Sequence, residues 1–457
     1  MHDPRLGGVV LARDRTAVHP LFHLDPGAPV LVASTDGRVL QAGLEPSPLA
    51  LAAWLVRAPL EPERTLLEGL FRIPAGHVLT VRERGAALAA DWRPPAPGDL
   101  PAADAGRFGE LLEAELEPLA RSGRLAVFLS GGIDSACVAA AAAAVSARAG
   151  QPPALALTVE IEGASEAEMQ TLVAGQLGLQ RLDARAAWQP GALAPALERA
   201  AGELWPIAPA WARAFDELGL RAHEAGARLL LDGQGGDDLL DAGLAGGREL
   251  LLRPRAFAGW LEAERRYTGG RRQSLRAVAG SFRPRRPPTL PEGLPADPRL
   301  RAELVERLAS RPRGYAAVRE ADVTDPALSA QREATFDRGR RLGAEHVHPL
   351  WSARLVELLD GLPPAALVAH GDPKSPARAY LAGRLAQPRG AWPRPAVADT
   401  LFRAVAAEAH RHLREPGALE NLRALGLVDK SVDRPYRDGL IWPMLCVDWW
   451  IGSREGT

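Results

Sequence analysis

Two short segments carry residues whose types and spacing suit phosphate chemistry. Residues 127–135 read VFLSGGIDS, an apolar run ending in Ser130, Gly131, Gly132, Ile133, Asp134 and Ser135, with an Ala-rich stretch directly behind it. A β-strand followed by a Gly turn at a helix N-terminus aims several unpaired backbone N–H groups at one point, which suits an anion such as pyrophosphate. Gly131 and Gly132 let the backbone turn tightly and approach phosphate oxygens, and the hydroxyls of Ser130 and Ser135 add donors. Asp134 has no use beside a bare phosphate and fits as a Mg²⁺ ligand or as an acceptor one step behind the metal. The plainer reading is a strand-to-helix turn with two glycines and a capping Ser or Asp.

Residues 228–238, RLLLDGQGGDD, repeat the pattern: an apolar strand, a turn holding Gly233 and Gln234, then Asp237 and Asp238 opening a helical stretch. Two such units belong on neighbouring C-terminal edges of a parallel sheet, where open α/β folds gather their ligands. Asp134 and Asp237 then share one Mg²⁺. Taken alone, the acid pair reads equally as a solvated helix start, whose dipole favours carboxylates.

The elements that must position these loops follow from punctuation and periodicity. From Phe108 the pattern is helical, and strands near 125–129, 155–160 and 228–231 alternate with helices, as in a doubly wound α/β core. Residues 7–81 alternate short β-rich runs with Gly, Asp and Pro turns, as a small sandwich does, and RPPAPGDLP at 93–101 reads as a linker. After Asp238 the chain reads as largely helical. This divides the chain into a β-rich part, 1–100, and an α/β part with a helical C-terminal region, 101–457.

These residues resemble the PP-loop ATP pyrophosphatases, and within them the asparagine synthetase-like amide synthetases. The resemblance rests on SGGIDS (130–135), SEAEMQTLVAGQLGLQ (165–180), DGQGGDD (232–238), HPLWSARLVELLDGLPP (348–364) and DPKSPARAYLAGRL (372–385), in the family's order. It implies that ATP is split to AMP and pyrophosphate while a substrate carboxylate becomes an acyl-adenylate, which an amine then attacks. It further implies that Leu129 and the loop residues hold ATP, with Thr158 and Val159 beside the adenine through backbone groups.

The segments RDRTAVHPLFH (13–23), VLVASTDGRVL (30–40) and IPAGHVLTV (73–81) look like the later half of a class II glutamine amidotransferase domain. That domain needs a processed N-terminal Cys, because a low-pKa thiolate next to a free amine opens glutamine. Met1 is followed by His2, and the chain's two cysteines, Cys137 and Cys446, read as buried small hydrophobes. The expectation is a truncated domain without glutaminase activity, so that the substrate supplies its own amine. Two kinds of relative do this: β-lactam synthetases and lasso peptide cyclases. The ATP site looks more like the cyclases, which join the N-terminal amine of a ribosomally made precursor peptide to an Asp or Glu side chain, giving a macrolactam. That resemblance implies a leader-binding protein and a leader peptidase as partners. Other expectations stay open: another small-molecule amide synthetase, a non-catalytic peptide-binding scaffold, or a PP-loop enzyme acting on tRNA.

Departures from the family pattern bear on mechanism. Gln234 stands where relatives have Glu, Tyr or His; an amide is no general base at neutral pH, so orienting a group is its expected task. Asp238 replaces the usual Glu. Where relatives place a Lys two residues after an Arg, Arg394 is followed by Pro395 and Ala396. Only Lys374 and Lys430 are lysines in this chain, and Lys374 lies four residues before Arg378, so the two cations would share a helical face. Lys374 is the candidate to neutralise adenylate and pyrophosphate charge, and Arg394 the substitute. The alternative for Lys374 is a solvated helix-start lysine. Glu262, Glu264 and Tyr267 occupy the stretch where relatives keep the base for the amine.

Composition is compatible with all of this. The 457 residues carry 55 basic and 56 acidic side chains, a formal charge of −1, with no global bias toward nucleic acid or anionic membrane. An Arg-dense segment, 270–286, runs into a Pro-rich stretch and reads as a surface connection. Two cysteines fit a reducing cytoplasm, and neither a secretory signal nor a membrane span is expected.

Overall fold

The computed structural model describes residues 2–3, 8–25, 30–163, 166–268, 279, 289–386, 392, 399–429 and 438–454. The N-terminal part contains the strands β1 (His2–Asp3), β2 (Gly8–Ala12), β3 (Phe22–Leu24), β4 (Ala33–Ser34), β5 (Leu70–Arg72), β6 (His77–Arg82) and β7 (Gly85–Ala90). They form two antiparallel sheets, ordered β1-β2-β6-β7 and β4-β3-β5. β7 extends the β-rich region past the expected limit at residue 81. Its sequence, GAALAA, has little strand propensity, and it forms by pairing along β6, from His77 opposite Ala90 to Arg82 opposite Gly85. Between β4 and β5 in the chain lies helix α1 (Pro48–Val56), opened by Pro48 in its first turn and by Ser47, whose hydroxyl accepts from the Ala50 N–H.

The α/β part begins with α2 (Phe108–Ser122) and β8 (Arg124–Phe128), continues through α3 (Ile133–Arg148), β9 (Leu155–Ile161), α4 (Ala167–Gln176) and β10 (Gln180–Ala186), and reaches β11 (Ala227–Leu231) and later β12 (Glu345–Val347). These five strands form one parallel sheet in the order β10-β9-β8-β11-β12. Successive residues of β8 point to opposite faces: Leu125 and Val127 pack with α2 and α3, while Ala126 packs with the helix Ala212–Glu224. Helices on both faces make the sheet doubly wound. β10 and β12 were not among the expected strands. β10, QRLDARA, is a polar edge strand, and β12 has three residues, too few for a periodicity.

α3 is buried nearly all round, from Ala136 through Ala142, because it lies between β8 and α2. Its alanines therefore serve close packing inside the protein. Among the described residues no helix is long and apolar enough to cross a membrane.

A second core joins the N-terminal sheets to distant parts of the chain, with Phe22, Leu51 and Leu70 packed among Trp205, Leu304, Met444 and Trp450. At its edge Glu333, in the helix Pro326–Arg341, accepts hydrogen bonds from Arg13 Nη1 (3.2 Å), Arg72 Nε (2.7 Å) and Trp205 Nε1 (2.8 Å). Burial favours the neutral acid, but Arg72 and Arg13 outweigh it and hold Glu333 below the ordinary carboxylate range.

Candidate active site

From β8 the chain runs outward to β9 and β10, and β11 returns to the other side of β8. The crevice between β8 and β11 is therefore the topological switch point, and both Gly turns leave its C-terminal edge.

The first turn is held by its own serines. The Ser130 N–H donates to Ser135 Oγ (3.1 Å), the Ser135 hydroxyl donates to Gly132 O (3.2 Å), and the Gly132 N–H donates to Ser130 Oγ (3.3 Å). Both hydroxyls thus shape the loop in addition to any contact with phosphate. Leu129 is tied into the sheet, its N–H donating to Leu157 O (2.9 Å). Gly132 is the N-cap of α3 with extended backbone and makes no side-chain cap, so the first N–H groups of α3 lack a side-chain acceptor there.

The second turn owes its glycines to packing. A Cβ at Gly233 would lie 2.6 Å from the Ser135 nitrogen, and one at Gly236 2.0 Å from Asp134 Cγ. Gly235, at φ +95°, takes a left-handed conformation, and a Cβ there would meet the Trp351 ring at 2.8 Å. The second loop lies against the first-loop backbone at Gly233 and against the Asp134 side chain at Gly236, positions where no Cβ fits.

That contact brings the carboxylates together. Lys374 Nζ donates to Asp134 Oδ2 and to Asp237 Oδ1, each at 2.6 Å, so both acids reach one cationic centre. The Lys374 side chain is 5% exposed and that of Asp237 89%, so the lysine comes from below and the aspartate from the solvent side. Burial works against the Lys374 charge, but Asp134 and Asp237 outweigh it and hold the ammonium well above the ordinary lysine value. Burial also pushes the Asp134 carboxyl up, against the opposing pull of Lys374, with Asp237 adding repulsion. Lys374 departs from the solvated alternative and from the expected pairing with Arg378. It is buried, not solvated, and it precedes the helix Ser375–Ala382 as a left-handed cap (φ 56°), so it shares no helical face with Arg378.

The remaining expected residues are placed as follows. Gln234 Nε2 donates to Gln331 Oε1 (3.0 Å), at the mouth of the crevice. Asp238 is half-buried; burial and the neighbouring Asp237 raise its carboxyl, opposed by Arg332 and Arg319. Thr158 is buried and its hydroxyl donates to Asp183, so the side chain faces β10, while Val159 O accepts from Gln170 Nε2 (3.4 Å). Glu262 packs beside Gly371. Arg394, Ala396 and Lys430, the side chains of Glu264 and Tyr267, and nearly all of the Arg-dense segment lie outside the described residues.

Two groups escaped the sequence reading. Asp232, the first residue of the second turn, sits with His346 and His348, both in or just after β12; alternate strand residues share a face, which was the available signal. The other is Arg319, whose guanidinium binds Asp360 Oδ1 (2.6 Å from Nε), Leu239 O and Asp238 O, pinning the helix that follows the second turn.

A family model described as asparagine synthase matches residues 109–439, from the second residue of α2 onward. The chain belongs to that family, whose members are ATP-dependent amide ligases that generally use Mg²⁺. A search of curated proteins finds no match to this chain. The crevice fits a Mg²⁺-nucleotide on its own terms: two carboxylates converge on one cationic point, and Asp134 Oδ1 is buried with no hydrogen-bond partner.

Proposed function

We propose that this chain is an AMP-forming, glutamine-independent amide ligase that closes a macrolactam in a ribosomally made precursor peptide. The activated group is an Asp or Glu side chain, and the nucleophile is the core peptide's own N-terminal amine, as in lasso peptide cyclases. The observation that carries the ligase reading is the convergence of Asp134 and Asp237 on one cation at the mouth of two Gly turns. Glutamine independence is supported by the thiols. Cys137 and Cys446 are both buried, and burial raises both well above the ordinary thiol value, which is the reverse of an activated nucleophile.

In this reading Asp134 and Asp237 hold Mg²⁺, which would neutralise pyrophosphate charge as the substrate carboxylate attacks the α-phosphorus of ATP. The N–H groups at the start of α3 face the departing phosphates. Lys374, released from its carboxylate pair, stays protonated and leans on the same anion. Gln234 orients the incoming carboxylate at the crevice mouth, and Asp238 sets the position of Asp237. Leu129, Thr158 and Val159 form the adenine wall, and Arg394 is a second cation. Holding amine and activated carbonyl within one folded peptide replaces a bimolecular encounter. A leader-binding protein and a leader peptidase would deliver that peptide, in the cytoplasm.

The test is ATP–pyrophosphate exchange with a short precursor peptide bearing an Asp or Glu a few residues after a Gly or Ala core start. Exchange, with loss of one water from the peptide by mass spectrometry, is expected for the wild type, and neither for Asp134→Asn or Asp237→Asn. Exchange with a small β-amino acid in place of the peptide would move the assignment to a β-lactam-type synthetase. No exchange with any carboxylate would leave a peptide-binding scaffold.

A further inference from the structure

Beside the nucleotide crevice, Asp232, His346 and His348 meet where β11 and β12 end. Asp232 Oδ2 lies 2.8 Å from His346 Nε2, Asp232 Oδ1 lies 2.9 Å from His348 Nδ1, and the ligating atoms of all three fall within 4.8 Å of one another. Both imidazoles are buried, and the Phe128 ring stacks on His346 at 5.6 Å.

The hydrogen-bond geometry around His348 favours a cation in this cluster. The Thr335 hydroxyl has one proton, and it lies 2.6 Å from Gln331 O, a carbonyl that can only accept. Thr335 therefore donates to Gln331, and His348 Nε2, 3.1 Å from Thr335 Oγ1, must itself be the donor to that oxygen. In a neutral ring His348 Nδ1 is then a bare lone pair aimed at a carboxylate oxygen. The repulsion disappears if a second proton makes an imidazolium, or if a metal ion takes the position. A metal-bound histidine that donates its far N–H to a hydroxyl is the ordinary second contact of such a ligand.

We propose that Asp232, His346 and His348 form a binding site for a zinc-type divalent transition metal. Two imidazoles and one carboxylate are a zinc donor set, with a fourth position for water, whereas Mg²⁺ prefers oxygen alone. Metal bonds of about 2.0–2.2 Å set tetrahedral donors roughly 3.3–3.6 Å apart. The two contacting pairs, now at 2.8 and 2.9 Å, would open by about half an ångström, within the 4.8 Å that the three donors already span. With Asp232 Oδ2 on the metal, Oδ1 keeps the hydrogen bond it accepts from the Gln234 N–H at 3.0 Å. The ion thus anchors the start of the loop that carries Gln234 and Asp237, and the site stands independently of the ligase reading.

The experiment uses the untagged full chain, stripped with a chelator and titrated with Zn²⁺ or Co²⁺. One zinc per chain after desalting, a visible d–d band with Co²⁺, and a rise in Tm on adding Zn²⁺ are expected. His346→Gln and His348→Gln should lose the bound metal, and Thr335→Val should weaken it by about 10–100-fold. Asp237→Asn should retain it, which separates this site from the Mg²⁺ pair. Failure of the wild type to retain zinc, or equal retention by a natively folded His348→Gln protein, overturns the proposal and leaves an aspartate–imidazolium hydrogen-bond network.

Discussion

A methyl group at Gly236 would sit 2.0 Å from Cγ of Asp134, so the second loop lacks a side chain where the first loop's carboxylate must lie. Gly236→Ala therefore displaces Asp134, whatever its effect on the helix start. A shift of about 1 Å in a positioning group costs on the order of 100-fold in activity. We expect a loss of that size in ATP–pyrophosphate exchange, with an unchanged far-UV spectrum. Wild-type exchange by this variant would show that Asp134 is not positioned by the contact.

Lys374 competes with any metal for the same two carboxylates. Lys374→Met removes that competitor and leaves two acids repelling one another. Nucleotide-free protein should then bind Mg²⁺ more tightly, by about tenfold, the order of one partly screened charge interaction. Exchange activity should fall in the same variant. Calorimetric titration checks the first and pyrophosphate exchange the second.

Burial pushes the Asp322 carboxyl up to about 7, with Asp238, Asp325 and Asp360 adding repulsion and Arg319 opposing. An unfolded Asp titrates near 3.9, so between about pH 4 and 7 the folded state keeps a proton that the unfolded state has lost. Stability from this group therefore declines as pH rises through that window and is level above it. Asp322→Asn should be more stable than wild type at pH 8 by roughly 2 kcal/mol, and nearly equal at pH 4. Urea unfolding at the two pH values tests the sign.

The Glu333 clamp makes the N-terminal sheets depend on the helix Pro326–Arg341. Glu333→Gln leaves Arg13 and Arg72 buried with little countercharge, which typically costs about 3–5 kcal/mol. Denaturant melts should show that loss, and proteolysis should cut the variant faster within residues 1–100.

Both thiols are buried and raised by that burial. The native protein should not react with a disulfide reagent at pH 8, and the unfolded protein should show both cysteines. Rapid reaction of one thiol in the native state would reopen a role for cysteine in catalysis.

Much of the fold was legible because its signals are local. The strand-turn-helix at Phe128 to Asp134 and the one at Leu231 to Asp237 each announce themselves within ten residues, and their placement on adjacent strands follows from the rules of parallel sheets. What escaped had no local signature. β7 exists only because β6 offers it a partner, β12 is three residues long, and the Asp232–His346–His348 cluster joins positions more than a hundred residues apart.

The sequence by itself determined the class of chemistry: two Gly turns with an acid on each, an apolar strand before each, and no exposed cysteine signal. Tertiary structure decided which cation those acids share. Lys374 lies 240 residues from Asp134, and its helical spacing to Arg378 pointed to a different geometry. Local periodicity sets which way a helix or strand faces, but a buried ion pair depends on which segments the core brings together, and that is a property of the packed whole.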